Sequence, residues 1–200
     1  MAVRVIVTAL PGSGKTTTIK KVVEKMPSLS VVNFGDLMFE EAAKLYGIAH
    51  RDEMRKKLVL KDYQRLQMSA AERIAKMNHV VVDTHSVIKT PFGYYPGLPS
   101  EAVQVMNPHL IVFIECRPED ILSRRLKDAT EGVDRRRETD SVEVIEADQQ
   151  MGKLFVAAAA NTAACYLKVI SLRYEQKRPF EHAEAAAEEI VQAIRSLSGV

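Results

Sequence analysis

Near its start the chain runs from a β-branched apolar stretch, Val3 to Ala9, through Leu10-Pro11-Gly12-Ser13-Gly14 into Lys15-Thr16-Thr17. Ile19, Val22, Val23 and Met26 follow at helical spacing. This order of strand, glycine-rich turn and helix constrains the fold more than any other feature. The glycines let backbone N–H groups close around an anion, and the helix N-terminus adds partial positive charge. The residues match the phosphate-loop pattern GxxxxGK[ST] except at its first position, where Ala9 stands; alanine is tolerated there if its φ is negative, as at a strand end. Pro11, Gly12, Ser13, Gly14, Lys15, Thr16 and Thr17 are therefore the candidate triphosphate contacts. Lys15 would bridge the outer phosphates and the Thr16 hydroxyl would hold Mg²⁺. The plainer alternative is a glycine turn joined by chance to a lysine-rich helix.

The rest of the chain repeats the rhythm. Ser30 to Phe34 reads as a strand, and Asp36 as the N-cap of a helix with Met38, Ala42 and Leu45 on one face and Gly47 at its end. Leu66, Ala70, Ile74 and Met77 mark a longer helix, and Val80 to Val82 a strand ending at Asp83. Leu110 to Glu115 and Leu167 to Leu172 complete five strands. Their hydrophobicity is continuous rather than alternating, which predicts a parallel sheet covered by helices on both faces, an α/β fold. Pro118, Glu119 and Asp120 open a helix whose last turn holds Arg124 and Arg125. Two segments interrupt this pattern and read as loops or lids: Thr90 to Pro99, with three Pro and two Gly, and the charge-dense Asp128 to Glu138. The helix from Val142 to Thr162 is apolar beyond a single stripe, which suits either a core helix or an oligomer interface.

Composition narrows the classes. With 46% hydrophobic and 27% charged residues the chain is globular, and 28 basic against 26 acidic residues give no nucleic-acid arm. No apolar run approaches the roughly 18 residues of a membrane helix and no leader is expected, so the reading is a soluble, cytoplasmic protein without a membrane partner. Cys116 and Cys165 are too few and too far apart for a disulfide framework or zinc cluster and read as small buried hydrophobes.

Asp83, at the end of the third strand, sits where an acid can hold Mg²⁺ directly or through water; a turn-capping acid is the alternative. His85 could touch a phosphate or be satisfied by backbone. Arg124, Arg125, Arg135, Arg136 and Arg137 place five guanidinium groups close in sequence, with Gly132 a candidate hinge. Such cations suit a reaction that brings two nucleotides into one dry site. Arg51 and Arg55 share a helical face and form a second cationic pair.

The chain resembles the archaeal-type adenylate kinases, a branch of the nucleoside monophosphate kinases, over nearly its whole length. The resemblance rests on Pro11 to Thr17, Asn33-Phe34-Gly35-Asp36, Arg51 to Lys56, and above all Val82-Asp83-Thr84-His85-Ser86 running into Lys89-Thr90-Pro91 and Gly93 to Pro99. It implies a single P-loop domain over 1–200, with an AMP-binding region at about 35–100 and a short lid at about 127–140. It also implies ATP as donor, AMP as acceptor, Mg²⁺ and a homotrimer. By resemblance, Lys15, Arg124, Arg135 and Arg137 are catalytic, with Arg136 less clearly placed. Gly35, Met38, Arg51, Arg55, His85, Gly93, Tyr94 and Gly97 would contact AMP, Tyr94 or Tyr95 offering an aromatic face. Thr16 and Asp83 would hold the metal.

Other classes are weaker. A GTPase switch would need an Asn-Lys-x-Asp motif and a DxxG after the third strand, and the chain has neither. An alcohol kinase would need an acid placed as base, whereas a phosphate acceptor needs none. An RNA-related role has only the basic lid behind it.

Overall fold

The computed structural model describes residues 3–130 and 141–199. The central sheet has five strands, β1 (Arg4–Ala9), β2 (Ser30–Asn33), β3 (Val80–Thr84), β6 (Leu110–Cys116) and β7 (Tyr166–Leu172), in the order β2-β3-β1-β6-β7. All its neighbours are parallel. The three inner strands are nearly continuous valine, isoleucine and leucine because both of their faces are covered. The edge strands depart from that expectation, since Val31, Tyr166, Leu167 and Val169 are exposed.

Helices cover both faces. On one side α1 (Lys15–Lys25) and α8 (Glu181–Ser198) pack together, and Val5, Val7, Val112 and Ile114 meet Val22, Ile190 and Ile194. On the other, Ile6, Val82, Ile111 and Phe113 meet residues of α2 (Phe34–Tyr46), α4 (Leu60–Ala75), α5 (Ser100–Met106) and α7 (Val142–Ala163). Burying a large aliphatic side chain contributes on the order of 1.5–3 kcal/mol, so these two layers dominate stability. A 3₁₀ turn at Arg51–Glu53 leads into the short helix α3 (Met54–Lys57), and α6 is Pro118–Thr130.

Several sequence expectations are corrected. The Thr90 to Pro99 segment is not a structureless loop: β4 (Val87–Thr90) and β5 (Gly93–Pro96) form an antiparallel hairpin. Its turn is held by the Thr90 hydroxyl, which donates to the Gly93 carbonyl at 2.9 Å and accepts from the Phe92 N–H at 3.2 Å. The N-cap of α2 is Asn33 rather than Asp36, whose own N–H is the group being capped. Met77 lies beyond the end of α4, and Arg124 and Arg125 sit in the body of α6, which continues to Thr130. Cys116 is buried as expected, but Cys165 is only half-buried; both are free thiols. The apolar 142–162 helix is a core helix on one face, through Ile145, Val156, Ala159 and Ala160, while Leu154 is 65% exposed.

Candidate active site

The end of β1 delivers the chain into the phosphate loop. Gly12 (φ 90°) and Gly14 (φ 86°) occupy the left-handed region, where a side chain would be strained. A Cβ at Gly12 would also lie 3.1 Å from Arg125 Cγ and 3.3 Å from the Ile121 carbonyl, so α6 rests directly on the loop. Ala9, by contrast, is in strand conformation and 1% exposed, which explains why the first position of the motif tolerates it. Ser13 donates its hydroxyl to the Leu10 carbonyl at 2.6 Å and its N–H to the same oxygen at 3.2 Å, closing the turn internally. Thr16 and Thr17 lie in the first turn of α1, Thr16 exposed and Thr17 half-buried.

Lys15 is 9% exposed, forms an ion pair with Asp83 and donates to the Thr84 carbonyl. Burial pulls its ammonium below the usual lysine range, against the opposing attraction of Asp83. Asp83 Oδ2 accepts from Asn33 Nδ2 at 3.0 Å. Asp83 and Thr16 form a sparse set of hard oxygen donors. That set suits Mg²⁺, which is commonly held by one or two protein ligands together with nucleotide phosphates. No group of three or more His, Cys, Asp or Glu side chains arranged for a metal occurs among the described residues.

From the other side α6 leans on the loop. Arg124 Nη1 donates to the Gly12 carbonyl at 3.3 Å, and Arg125 Nε to the Pro11 carbonyl at 2.9 Å. Arg124 Nη2 also lies 3.5 Å from Nδ1 of the buried His182, whose Nε2 is 2.9 Å from the Tyr174 carbonyl. The start of α6 is fixed by Gln149 of α7: its Oε1 accepts from the Cys116 N–H at 2.8 Å, and its Nε2 donates to the Cys116 carbonyl at 2.9 Å. Arg135, Arg136 and Arg137, like Gly132 and most of the expected lid, lie outside the described residues.

The acceptor-side expectations fall into two groups. Arg51 lies flat against Gly35, where an added Cβ would overlap its guanidinium, and donates to Asp36 at 2.6 Å. Arg55 is exposed on α3. Both arginines oppose the burial that raises the Tyr63 phenol above its ordinary range, so all three share one region. Tyr95 joins them through an edge-to-face contact with Tyr63 at 5.9 Å, and its hydroxyl donates to the buried Gln67 at 2.9 Å.

The remaining residues have structural work. Met38 is 2% exposed within the core, Gly93 supplies a left-handed turn with open space around it, and Gly97 packs against the His85 backbone. Tyr94 faces away from Tyr95 and donates to Asp148 of α7 at 2.6 Å, which raises its phenol to about 12. Lys89 pairs with the same carboxylate at 3.0 Å, so the hairpin is tied to α7. Asn33, Tyr63, Gln67, Gln149 and His182 were not foreseen in these roles.

A cleft of about 450 Å³ lies apart from the phosphate loop, between Glu119, Leu122, Ser123, Leu126, Lys127 and Val142. No helix among the described residues is long and apolar enough to cross a membrane.

Comparison with known proteins gives three consistent results. The family model described as AAA domain matches residues 8–146. The adenylate kinase of Pyrobaculum aerophilum is 46% identical over 193 residues, covering 96% of each chain. That of Thermoplasma acidophilum is 40% identical over 192 residues, covering 96% of this chain and 98% of the relative. Among solved structures, shikimate kinase from Bacteroides thetaiotaomicron superposes with a TM-score of 0.58 at 16% identity, covering 98% and 99% of the two chains, a likeness of fold alone. Near-full-length identity at this level, on a chain whose phosphate loop, lysine and strand-end carboxylate are assembled as described, places it in one family: the chain belongs to the adenylate kinases, phosphotransferases built on a P-loop fold.

Proposed function

We propose that this chain catalyses reversible transfer of the γ-phosphoryl group of Mg-ATP to AMP, giving two ADP, and that it does so as a single domain of the archaeal-type branch. The observation that carries the division of labour is the distribution of cations around Asp83. Lys15 and Arg124 gather at the phosphate loop and Arg51 and Arg55 near Tyr63 and Tyr95, with Arg51 close enough to Lys15 for its charge to oppose the ammonium.

On this reading the N–H groups of Gly12 to Thr17 and the α1 N-terminus hold the donor phosphates, with Pro11 shaping the turn. Lys15 leaves Asp83 and neutralises charge on the transferring group, and Arg124, with Arg135 and Arg137 of the expected lid, shares that task. An oxygen of the AMP phosphate attacks the γ-phosphorus as the bond to the β-phosphate oxygen breaks. That oxygen is already largely ionised near neutrality, so no side chain need take a proton. Thr16 and Asp83 would hold Mg²⁺, which supplies charge neutralisation at the phosphates.

Arg55 would grip the AMP phosphate in a two-pronged contact. Arg51, Gly35, Met38, His85 and the Gly93 to Gly97 hairpin would frame the nucleoside. Tyr95, rather than Tyr94, is the aromatic face nearer the two arginines.

A homotrimer and a cytoplasmic location complete the proposal; the exposed Leu154 of α7 and Leu167 and Val169 of β7 offer apolar surface for assembly. The test is product analysis after incubating the protein with Mg-ATP and each monophosphate in turn. ADP formed from AMP far faster than ATP is lost alone is expected. Faster turnover of CMP, UMP or GMP would leave the fold and remove the acceptor assignment. Light scattering at a monomer mass of about 22 kDa at micromolar concentration would remove the trimer.

A further inference from the structure

Asp83 has few neighbours able to orient it. In the sheet register its partners are Val7 on β1 and Asn33 on β2. Side chains of register partners in a parallel sheet emerge on the same face, and Val7 has nothing to donate. Among the described residues the carboxylate is held by the Lys15 ammonium and the Asn33 amide. On the reading above, Lys15 moves to the phosphates when the donor binds, and the Asn33 contact remains.

The amide of Asn33 is used at both ends. Nδ2 donates to Asp83 Oδ2 at 3.0 Å, and Oδ1 accepts from the Asp36 N–H at 3.2 Å as the N-cap of α2. The partners fix which end is which: a carboxylate needs a donor, and a backbone N–H needs an acceptor. The same helix carries Gly35, on which Arg51 rests, and Asp36, with which Arg51 pairs. One side chain thus joins the strand-end carboxylate to the acceptor helix.

We propose that Asn33 is a positioning residue for the reaction, holding the Asp83 carboxylate toward the metal through Nδ2 while Oδ1 anchors α2. The inference rests on Asp83 serving Mg²⁺. Serine, aspartate and asparagine all cap helices well, so capping alone does not call for asparagine. Aspartate would face Asp83 with a like charge, and serine is too short to reach it. Of these three, asparagine is the one that supplies both an acceptor for the helix and a neutral donor for the carboxylate from this position.

The test compares Asn33→Ser, which keeps a cap and loses the Asp83 contact, with Asn33→Ala, which loses both. Asp83→Asn serves as the control. Mn²⁺ affinity is measured by calorimetric titration of the enzyme bound to a β,γ-imido analogue of ATP without AMP, against the analogue alone, together with the Tm of the ligand-free protein, kcat and the KM for AMP. For Asn33→Ser we expect a Tm close to wild type, Mn²⁺ affinity and kcat each lower by about three- to tenfold, the scale of one lost hydrogen bond, and little change in KM. Asn33→Ala should match it in Mn²⁺ affinity and fall below it in Tm.

Wild-type Mn²⁺ affinity and kcat in Asn33→Ser, alongside weakened metal binding in Asp83→Asn, would overturn the role of Asn33 alone. Mn²⁺ affinity that follows Tm across the two Asn33 variants would reduce Asn33 to a helix cap and overturn it equally. Unchanged affinity in Asp83→Asn would remove the metal role of Asp83, and this inference with it.

Discussion

The donor and acceptor halves of the site are built to different standards. Around the phosphate loop, the Leu10 carbonyl, two left-handed glycines, two arginines of α6 and the Lys15–Asp83 pair hold the cradle from all sides, and Lys15 itself is 9% exposed. On the acceptor side Arg55 stands exposed on a helix of four residues, and Arg51 is held by a partly exposed pair with Asp36. Surface pairs of that kind contribute about 0–1 kcal/mol, too little to freeze an arginine. A backbone cradle exists before its ligand arrives, whereas exposed guanidinium groups take their final geometry from the ligand. Changes at the donor side should therefore act on turnover, and changes at the acceptor side on affinity.

The largest test of this contrast is Lys15→Met. Removing a preorganised charge at the transferring group should lower kcat on the order of a hundredfold or more. The sign of the burial effect adds a stability prediction. The folded pKa of Lys15 is depressed, so the unfolded chain binds its proton more readily. Loss of the ammonium relieves that burial cost while Asp83 loses its ion-pair partner and keeps Asn33, so the circular dichroism should stay native. Activity within a few fold of wild type would break the donor half of the comparison.

Next in size is Arg55→Lys, which keeps the charge and loses the two-pronged grip. KM for AMP should rise about tenfold, consistent with one charge-assisted hydrogen bond, with KM for ATP little changed. Equal changes in both would place Arg55 between the two halves rather than in one.

The same division explains what the sequence made legible. The phosphate loop was readable because its requirements are local: residues able to take positive φ, a lysine and a hydroxyl at the start of a helix. The parallel sheet was readable from continuous apolar runs, and Asp83 from its place at the end of one. The pairing of Asn33 with Asp83 was hidden because it depends on the register between β2 and β3. Gln149 and His182 were hidden for a similar reason, since each reaches a partner far away in the chain. Density of Pro and Gly made Thr90 to Pro99 read as a loop, yet Thr90 closes the hairpin turn with its own hydroxyl. Adjacent tyrosines in a strand face opposite ways, and nothing local told which of Tyr94 and Tyr95 turns toward the arginines.

Two glycines sharpen the comparison further. At Gly97 an added Cβ would strike the His85 backbone, which cannot step aside, so Gly97→Ala should cost about 1–3 kcal/mol in denaturant unfolding. At Gly35 the obstacle is the Arg51 guanidinium, the far end of a flexible side chain. Gly35→Ala should leave stability unchanged or raise it by up to about 1 kcal/mol through helix propensity, while KM for AMP rises a few fold as Arg51 is displaced. A stability loss at Gly35 as large as that at Gly97 would mean that Arg51 is held more firmly than its exposure implies.

The smallest expected effect separates the two tyrosines of the hairpin. Tyr94 is bonded to Asp148, and its phenol is pushed up to about 12 chiefly by that hydrogen bond. A group whose folded pKa is raised above its unfolded value near 10 stabilises the fold fully below pH 10 and loses that contribution as pH climbs toward 12. Tyr94→Phe should therefore cost about 1 kcal/mol at neutral pH. The difference from wild type should narrow between about pH 10 and 12, where wild-type Tyr94 ionises against Asp148. Because the hydroxyl points to α7 rather than toward Arg51 and Arg55, KM for AMP should hold within about twofold of wild type, less than the loss of one neutral hydrogen bond. Tyr95→Phe should cost stability too, since buried Gln67 loses its donor, and should differ in raising KM for AMP. If Tyr94→Phe instead raised KM while unfolding as wild type does, the hairpin would present its other face to the nucleotide, and the acceptor half would have to be redrawn around Asp148.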